Sequence, residues 1–223
     1  MAARPIGIPV DAERRVSGLL LAPPDARVCY VLAHGAGAGM SHPFMESVAS
    51  GLAARGIATL RYQFPYMEQG GKRPDPPKLA QATVRAAVAE ASRLMPRAPL
   101  IAGGKSYGGR MTSQAQAASA LPGVRGLAFL GFPLHASGKP SDERAAHLFE
   151  IEIPMLFLQG TRDALADIEL MQSLARKLGT SATLVLLQDA DHSWHVPARS
   201  GRKDSDVMTE ALDALSAWVT ILL

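Results

Sequence analysis

Runs of apolar residues recur along this chain, and stretches with helical periodicity separate them. The runs are rich in β-branched side chains and continuous rather than alternating, which is typical of strands buried on both faces of a parallel sheet. They predict six strands: Val28 to Ala33, Ile57 to Tyr62, Leu100 to Ala102, Leu127 to Phe132, Met155 to Leu158 and Ala182 to Leu187. The weaker segment Ile6 to Leu21 predicts an antiparallel hairpin at the edge of the same sheet.

Two segments have the spacing of amphipathic helices. One apolar face comprises Val84, Ala87, Val88, Ala91 and Leu94, and a second, near the C-terminus, comprises Met208, Leu212, Leu215, Val219 and Leu222. Asp204 or Ser205 is the predicted N-cap of the C-terminal helix. The alternation of strands and helices predicts an α/β fold, in which a mostly parallel central sheet carries helices on both faces. No segment resembles an interdomain linker, so residues 1–223 are expected to form a single domain.

Two loops are expected at the carboxyl edge of this sheet. The segment from Phe64 to Pro77 contains so many prolines and glycines that it predicts no regular structure, and Phe132 to Pro140 is the second loop. Ligands of open α/β sheets bind at this edge, so we expect both loops to contribute to a pocket. The alternative is that they are plain surface connections.

The composition narrows the possible partners and the compartment. The formal net charge is +3 and there is no basic block with interleaved aromatic residues, so no nucleic-acid partner is expected. Cys29 is the one cysteine, which fits a reducing compartment. There is no signal pattern, and no apolar run approaches the ~18 residues that span a bilayer. We therefore expect a cytoplasmic protein that does not contact a membrane.

The segment Gly104-Lys105-Ser106-Tyr107-Gly108 is the strongest chemical signal. It reads Gly-x-Ser-x-Gly between a predicted strand and a predicted helix, the arrangement that exposes a serine nucleophile on a sharp turn. The same letters resemble the end of a phosphate-binding P-loop. That motif requires a glycine where this chain has Pro99, so nucleotide binding is not predicted.

An acid and then a base follow the serine along the chain, which is the order that this motif requires. Asp163 lies just beyond the predicted strand Met155 to Leu158, and His192 lies beyond Ala182 to Leu187. Both positions are loops at the same sheet edge, so Ser106, Asp163 and His192 are the predicted catalytic triad. Asp163 as a helix cap and the neighbouring His195 as the base remain as alternatives.

The predicted oxyanion donors are two backbone amides. One is that of Tyr107, which follows the nucleophile, and the other is that of Ala36 in a glycine-rich loop after the strand Val28 to Ala33. The loop lacks the third glycine of a dinucleotide-binding motif, because that position is Met40. His34, at the strand end, is expected to be a buried structural residue.

Several segments together carry a family resemblance: Leu32 to Gly37, Arg61 to Met67, Gly103 to Arg110, Phe132 to His135 with Gly138 to Pro140, Gln159 to Asp163, and Asp191 to Ser193. In combination they resemble the KANL3/Tex30-type α/β hydrolases, a group similar to the dienelactone-hydrolase branch of that superfamily. The resemblance implies an α/β-hydrolase fold without a large lid domain, and the triad named above. Dienelactone hydrolases use a cysteine nucleophile, so Ser106 is a departure from them.

These observations predict a serine hydrolase that cleaves a small-molecule carboxylic ester or thioester and needs neither a metal nor an organic cofactor. The expected pocket residues lie on the loops at the sheet edge: Met40, Phe64, Tyr66, Met67, Pro133, Leu134 and His135. A peptidase or an acyltransferase could use the same triad. A protein-interaction module that kept the fold without the activity is the alternative from another class.

Overall fold

The computed structural model describes all residues from 1 to 223. Its eight strands are β1 (Arg4–Pro9), β2 (Arg15–Leu21), β3 (Val28–Ala33), β4 (Ile57–Tyr62), β5 (Leu100–Lys105), β6 (Val124–Leu130), β7 (Met155–Gly160) and β8 (Ala182–Leu187). Its six α-helices are α1 (Pro43–Ala53), α2 (Pro65–Glu68), α3 (Pro77–Leu94), α4 (Tyr107–Ala118), α5 (Ile168–Leu178) and α6 (Asp204–Leu222). Short 3-10 segments lie at Glu143–Glu150, Gly179–Ser181 and Ala198–Ser200.

All eight strands form one sheet in the order β1-β2-β4-β3-β5-β6-β7-β8. The pairs β1–β2 and β2–β4 are antiparallel, and every pair from β4 to β8 is parallel. Because the parallel strands point the same way, the loops that follow β3, β5, β6, β7 and β8 meet at one edge. This is the edge where open α/β sheets bind their ligands.

Helices cover both faces of the sheet, and each face has its own apolar core. One core joins the sheet to α3, α4 and α5, and the other joins it to α1 and α6. The central strands β3 and β4 are buried along their whole length. This explains their continuous apolar sequences, since neither face of these strands reaches water. The predicted α/β architecture, a mostly parallel central sheet with helices on both faces, is confirmed.

The strand predictions are confirmed, with corrections at some ends. β5 continues through Gly103 and Gly104 to Lys105, although glycine usually weakens a strand. A β-carbon at Gly103 would lie 1.8 Å from the carbonyl oxygen of Ala128 on β6, so only glycine fits there. β6 begins at Val124 and ends at Leu130, three and two residues before its predicted start at Leu127 and end at Phe132. The predicted hairpin exists as β1 and β2, but only β1 is an edge strand because β2 also pairs with β4.

Two predictions about helices are wrong. The N-cap of α6 is Lys203, not Asp204 or Ser205. The Asp204 side chain instead accepts hydrogen bonds from His195 Nδ1 and the amide of Val196. The Phe64 to Pro77 loop is not wholly irregular, because α2 begins at Pro65. Proline is favourable in the first turn of a helix, where no amide donor is needed.

Candidate active site

Ser106 lies on the sharp turn between β5 and α4. Its φ of 50° and ψ of −116° are unusual for a residue with a side chain. The turn needs small neighbours because two segments approach it closely. A β-carbon at Gly104 would lie 2.2 Å from the carbonyl oxygen of Ala33, and one at Gly108 would lie 2.5 Å from that of His34. These contacts are the physical reason for the two glycines of the predicted motif.

The loops after β5, β7 and β8 bring Ser106, His192 and Asp163 into one hydrogen-bonded chain. His192 Nε2 lies 2.9 Å from Ser106 Oγ, and His192 Nδ1 lies 2.7 Å from Asp163 Oδ2. The Asp163 side chain is fully buried, whereas that of His192 is 24% exposed. With Nδ1–H donating to the carboxylate, Nε2 is free to accept the serine proton.

Gln159 fixes the Asp163 carboxylate and was not assigned a role from the sequence. Its Nε2 donates to Asp163 Oδ2 over 2.6 Å, while the amide of Leu165 donates to Oδ1 over 2.8 Å. Together with His192, these donors compensate for the burial of a charged carboxylate. Gln159 Oε1 in turn accepts from the amide of Phe132. A glutamine at the end of a buried strand, four residues before the acid, is the signal that could have identified it.

A tight turn presents His192 and directs His195 away from Ser106. Asp191 Oδ1 accepts from the amides of Ser193 (2.7 Å) and His195 (3.0 Å). The His195 side chain is 66% exposed and its Nδ1 lies 2.9 Å from Asp204 Oδ2. That hydrogen bond raises the pKa of His195. Of the two histidines, only His192 is within hydrogen-bond distance of the serine.

The two predicted oxyanion amides face no competing acceptor. The loop amide of Ala36 makes no hydrogen bond within the protein. Tyr107 is the first residue of α4, where backbone N–H groups have no acceptor inside the helix. Gly35, beside Ala36, lies against Ser106, since a β-carbon there would be 3.8 Å from Ser106 Cβ. Neither amide is therefore engaged by an acceptor within the protein.

His34 supports the glycine-rich loop from below. Its Nδ1–H donates to the carbonyl of Gly35 over 2.8 Å, and its Nε2 accepts from the amide of Phe64 over 3.1 Å. Burial lowers the pKa of His34 to about 4, so the imidazole is neutral at physiological pH. The expectation that His34 is a buried structural residue is confirmed.

A cavity of about 410 Å³ opens beside Ser106. Its walls combine apolar side chains with the polar groups of the site: Gly35, Ala36, Ala38, His42, Phe44, Met45, Lys105, Ser106, Leu165, His192 and Ser193. Phe44 and Met45 come from the first turn of α1, and Leu165 comes from the loop that carries Asp163. The volume is within the usual range for a small-molecule site.

The structure does not place the seven expected pocket residues at this cavity. Phe64, Tyr66, Pro133, Leu134 and His135 are buried, Met67 packs against the core, and Met40 is partly buried outside the walls: none of them lines the cavity beside Ser106. The Gln69 to Pro77 part of the first loop borders a separate cavity. The two loops thus contribute support rather than walls; for example, the Tyr66 hydroxyl accepts from the amide of Gly37 over 3.2 Å.

Two kinds of feature are absent from the structure. No group of three or more His, Cys, Asp or Glu side chains is arranged to hold a metal ion. Among the helices, none combines the length and the apolar character needed to cross a bilayer.

Known proteins share both the sequence pattern and the fold. Residues 26–220 match the family described as "Alpha/beta hydrolase domain". A dienelactone hydrolase from Anabaena variabilis is similar in structure, with a TM-score of 0.77 at 20% identity, over 98% of this chain and 96% of that one. An alpha-beta serine hydrolase homologue from Coxiella burnetii gives a TM-score of 0.77 at 17% identity, covering 96% and 98% of the two chains.

A third solved structure is a serine hydrolase from Xanthomonas campestris described as having no lid. Its TM-score is 0.74 at 20% identity, and the match covers 98% of this chain and 95% of that one. Matches over nearly the full length of both chains mean that the whole fold, and not one motif, is shared with these proteins.

Proposed function

The chain belongs to the alpha/beta hydrolase domain family, and from that premise we propose that it is a serine hydrolase of small carboxylic esters or thioesters. The observation that carries the proposal is the chain of hydrogen bonds from Ser106 Oγ through His192 to Asp163, at 2.9 and 2.7 Å. We also propose that residues 1–223 act as a single domain and that the chain belongs to the KANL3/Tex30-type subgroup.

The proposed reaction begins with attack of Ser106 Oγ on the acyl carbon. His192 Nε2 takes the serine proton as the bond forms, and Asp163 stabilises the resulting imidazolium through the hydrogen bond at Nδ1. His192 then donates this proton to the departing alcohol or thiol. The products of this half-reaction are the free leaving group and an acyl-enzyme on Ser106.

Water completes the cycle by the same proton path. His192 accepts a proton from the water as it attacks the acyl-enzyme, and returns it to Ser106 Oγ when the carboxylic acid leaves. In both halves a negative charge develops on the carbonyl oxygen. The free amides of Ala36 and Tyr107 are the proposed donors to that oxygen.

An active-site phosphonate tests the proposal directly. A fluorophosphonate probe reacts with an activated serine, so we expect stoichiometric labelling and a mass increase on the peptide that contains Ser106. Parallel turnover of p-nitrophenyl and coenzyme-A esters would separate ester from thioester substrates. An unlabelled protein that turns over neither class of ester would instead favour the protein-interaction module.

We expect short acyl esters to be cleaved with a higher kcat/KM than long ones. The cavity of about 410 Å³ has walls formed by the partly buried Leu165 and by the first turn of α1, and it opens to solvent, so each carbon beyond a short acyl group is expected to bury little further surface. The measurement is kcat/KM for a series of p-nitrophenyl esters of increasing length. A maximum at about ten carbons or more would contradict the proposed pocket.

A pair of variants locates the pocket wall. Leu165→Ala removes a side chain that lines the cavity, so the preferred acyl chain is expected to become longer. Met67→Ala is the matched control, since Met67 lies on α2 near the same sheet edge but outside the cavity. If Met67→Ala changed chain-length preference and Leu165→Ala did not, the cavity beside Ser106 would not be the acyl pocket.

A further inference from the structure

Lys105 lies immediately before Ser106, and none of the steps proposed above uses it. Its side chain forms part of the cavity wall and is partly exposed there, while its ammonium group is buried. A lysine in this position is unusual, because a buried ammonium group costs free energy unless nearby groups compensate for it. The surroundings of the ammonium group show which groups do so.

The ammonium group reaches across the site to the turn that carries the base. Its Nζ donates a hydrogen bond to the main-chain carbonyl of His192. It also lies 5.4 Å from the centre of the Phe44 ring, within the range of a cation–π interaction. Phe44 in turn packs edge-on against Trp194, with ring centres 5.1 Å apart. Lys105 and Phe44 thus contact the same turn from the β5 and α1 sides.

Gly131 leaves the space that this arrangement needs. A β-carbon at Gly131 would lie 2.8 Å from Lys105 Nζ, 3.5 Å from His192 Nδ1 and 3.6 Å from Asp163 Oδ2. The ammonium group is therefore beside the hydrogen bond between His192 and Asp163, not at the far end of the cavity.

The charges that face Lys105 come from two loops. Asp163, after β7, and Asp191, after β8, both favour the ammonium form, and His192 contacts it through its carbonyl. Phe44 on α1 and Gly131 after β6 carry no charge. Burial outweighs the two carboxylates and lowers the pKa of Lys105 to about 8.

We propose that Lys105 is a positioning residue for the histidine base, because its ammonium group ties the backbone of His192 to the strand that presents the serine nucleophile. This inference rests on the proposed serine-hydrolase function. Internal hydrogen bonds to Asp191 shape the turn itself, whereas Lys105 fixes where the turn stands relative to Ser106. Misplacement of a reacting group by about 1 Å can cost about 10²-fold in rate.

The hydrogen bond from Lys105 to the carbonyl of His192 is expected to weaken as the pH rises. Below its pKa of about 8, Lys105 is an ammonium group and donates a charge-assisted hydrogen bond to the carbonyl. Above that pH it becomes a neutral amine, whose hydrogen bond is about half as strong. The proposal therefore predicts that kcat falls on the alkaline side, with a midpoint near pH 8.

Three variants test the inference, with p-nitrophenyl acetate as substrate and Ser106→Ala as the blank at each pH. Lys105→Met keeps the apolar stem and removes the donor; we expect kcat to fall about 10²-fold at neutral pH with little change in KM, and the alkaline fall to disappear. Lys105→Arg keeps a permanent cation, so it is expected to recover part of kcat and to hold it above pH 8. Lys139→Met, at an exposed lysine outside the cavity, is the control.

The possible outcomes distinguish failure of this inference from failure of the proposed serine-hydrolase function. A Lys105→Met enzyme with the kcat of the wild type, or with the same alkaline fall, would overturn the positioning role. A uniform loss with an unchanged pH profile would also overturn it, since that is what general structural damage predicts. Circular dichroism melts check folding, and if Lys105→Met does not fold, the profile of Lys105→Arg decides. A wild type that no fluorophosphonate labels would refute the proposed function itself.

Discussion

Ser106→Ala is expected to lose esterase activity by about 10⁶-fold in kcat and to lose fluorophosphonate labelling completely. The variant keeps the β-carbon but removes the one oxygen that lies 2.9 Å from His192 Nε2. No covalent acyl-enzyme can form without that oxygen. The fold should be retained, because the Ser106 hydroxyl has no hydrogen-bond partner other than His192. The measurements are steady-state turnover and intact-mass labelling.

Ser193→Ala is the matched control for this variant. Ser193 lines the same cavity, and its backbone amide, not its hydroxyl, bonds to Asp191. Its removal should therefore leave labelling and kcat near those of the wild type. Labelling that survives Ser106→Ala but disappears in Ser193→Ala would identify Ser193 as the nucleophile and overturn the assignment of Ser106.

The parts of the fold and of the site that depend on local sequence patterns could be predicted. Strands such as β3 and β4 are buried on both faces, so their apolar runs are continuous and easily recognised. The Gly-x-Ser-x-Gly motif is equally local, because Gly104 and Gly108 are dictated by the backbone on either side of one turn. His192 could be favoured over His195 through its order and place after β8, and the geometry of the loop agrees with that choice.

The walls of the cavity could not be predicted in this way. They depend on where the first turn of α1 packs against the sheet edge. The spacing of its buried residues Met45, Val48, Ala49 and Leu52 indicates a helix, but not which loops that helix meets. The loops that looked like pocket walls are instead drawn into the core by their own apolar residues, such as Phe64 and Leu134. The surroundings of Lys105 could not be predicted from the sequence either, because they are formed by Phe44, Gly131 and His192, which are far apart in the chain.

His192→Ala is expected to lower kcat by on the order of 10³-fold or more, with a smaller change in KM. His192 is the only side chain within hydrogen-bond distance of Ser106 Oγ, so its removal leaves no group to accept the serine proton. The amides of Ala36 and Tyr107, the proposed oxyanion donors, remain in place in this variant and would account for the residual activity that a triad variant usually keeps. Steady-state kinetics with a short p-nitrophenyl ester provides both constants.

His195→Ala, three residues further along the same turn, makes the test specific. His195 is exposed and bonded to Asp204, and its own amide still bonds to Asp191 in the variant. Its substitution should change kcat little and reduce only the local contact with the start of α6. Addition of imidazole should partly restore His192→Ala, because the cavity beside Ser106 is open to a small base, and should not affect His195→Ala. If His195→Ala were the damaged enzyme and His192→Ala nearly silent, the proton would have to leave Ser106 by another path, and the assignment of the base would be wrong.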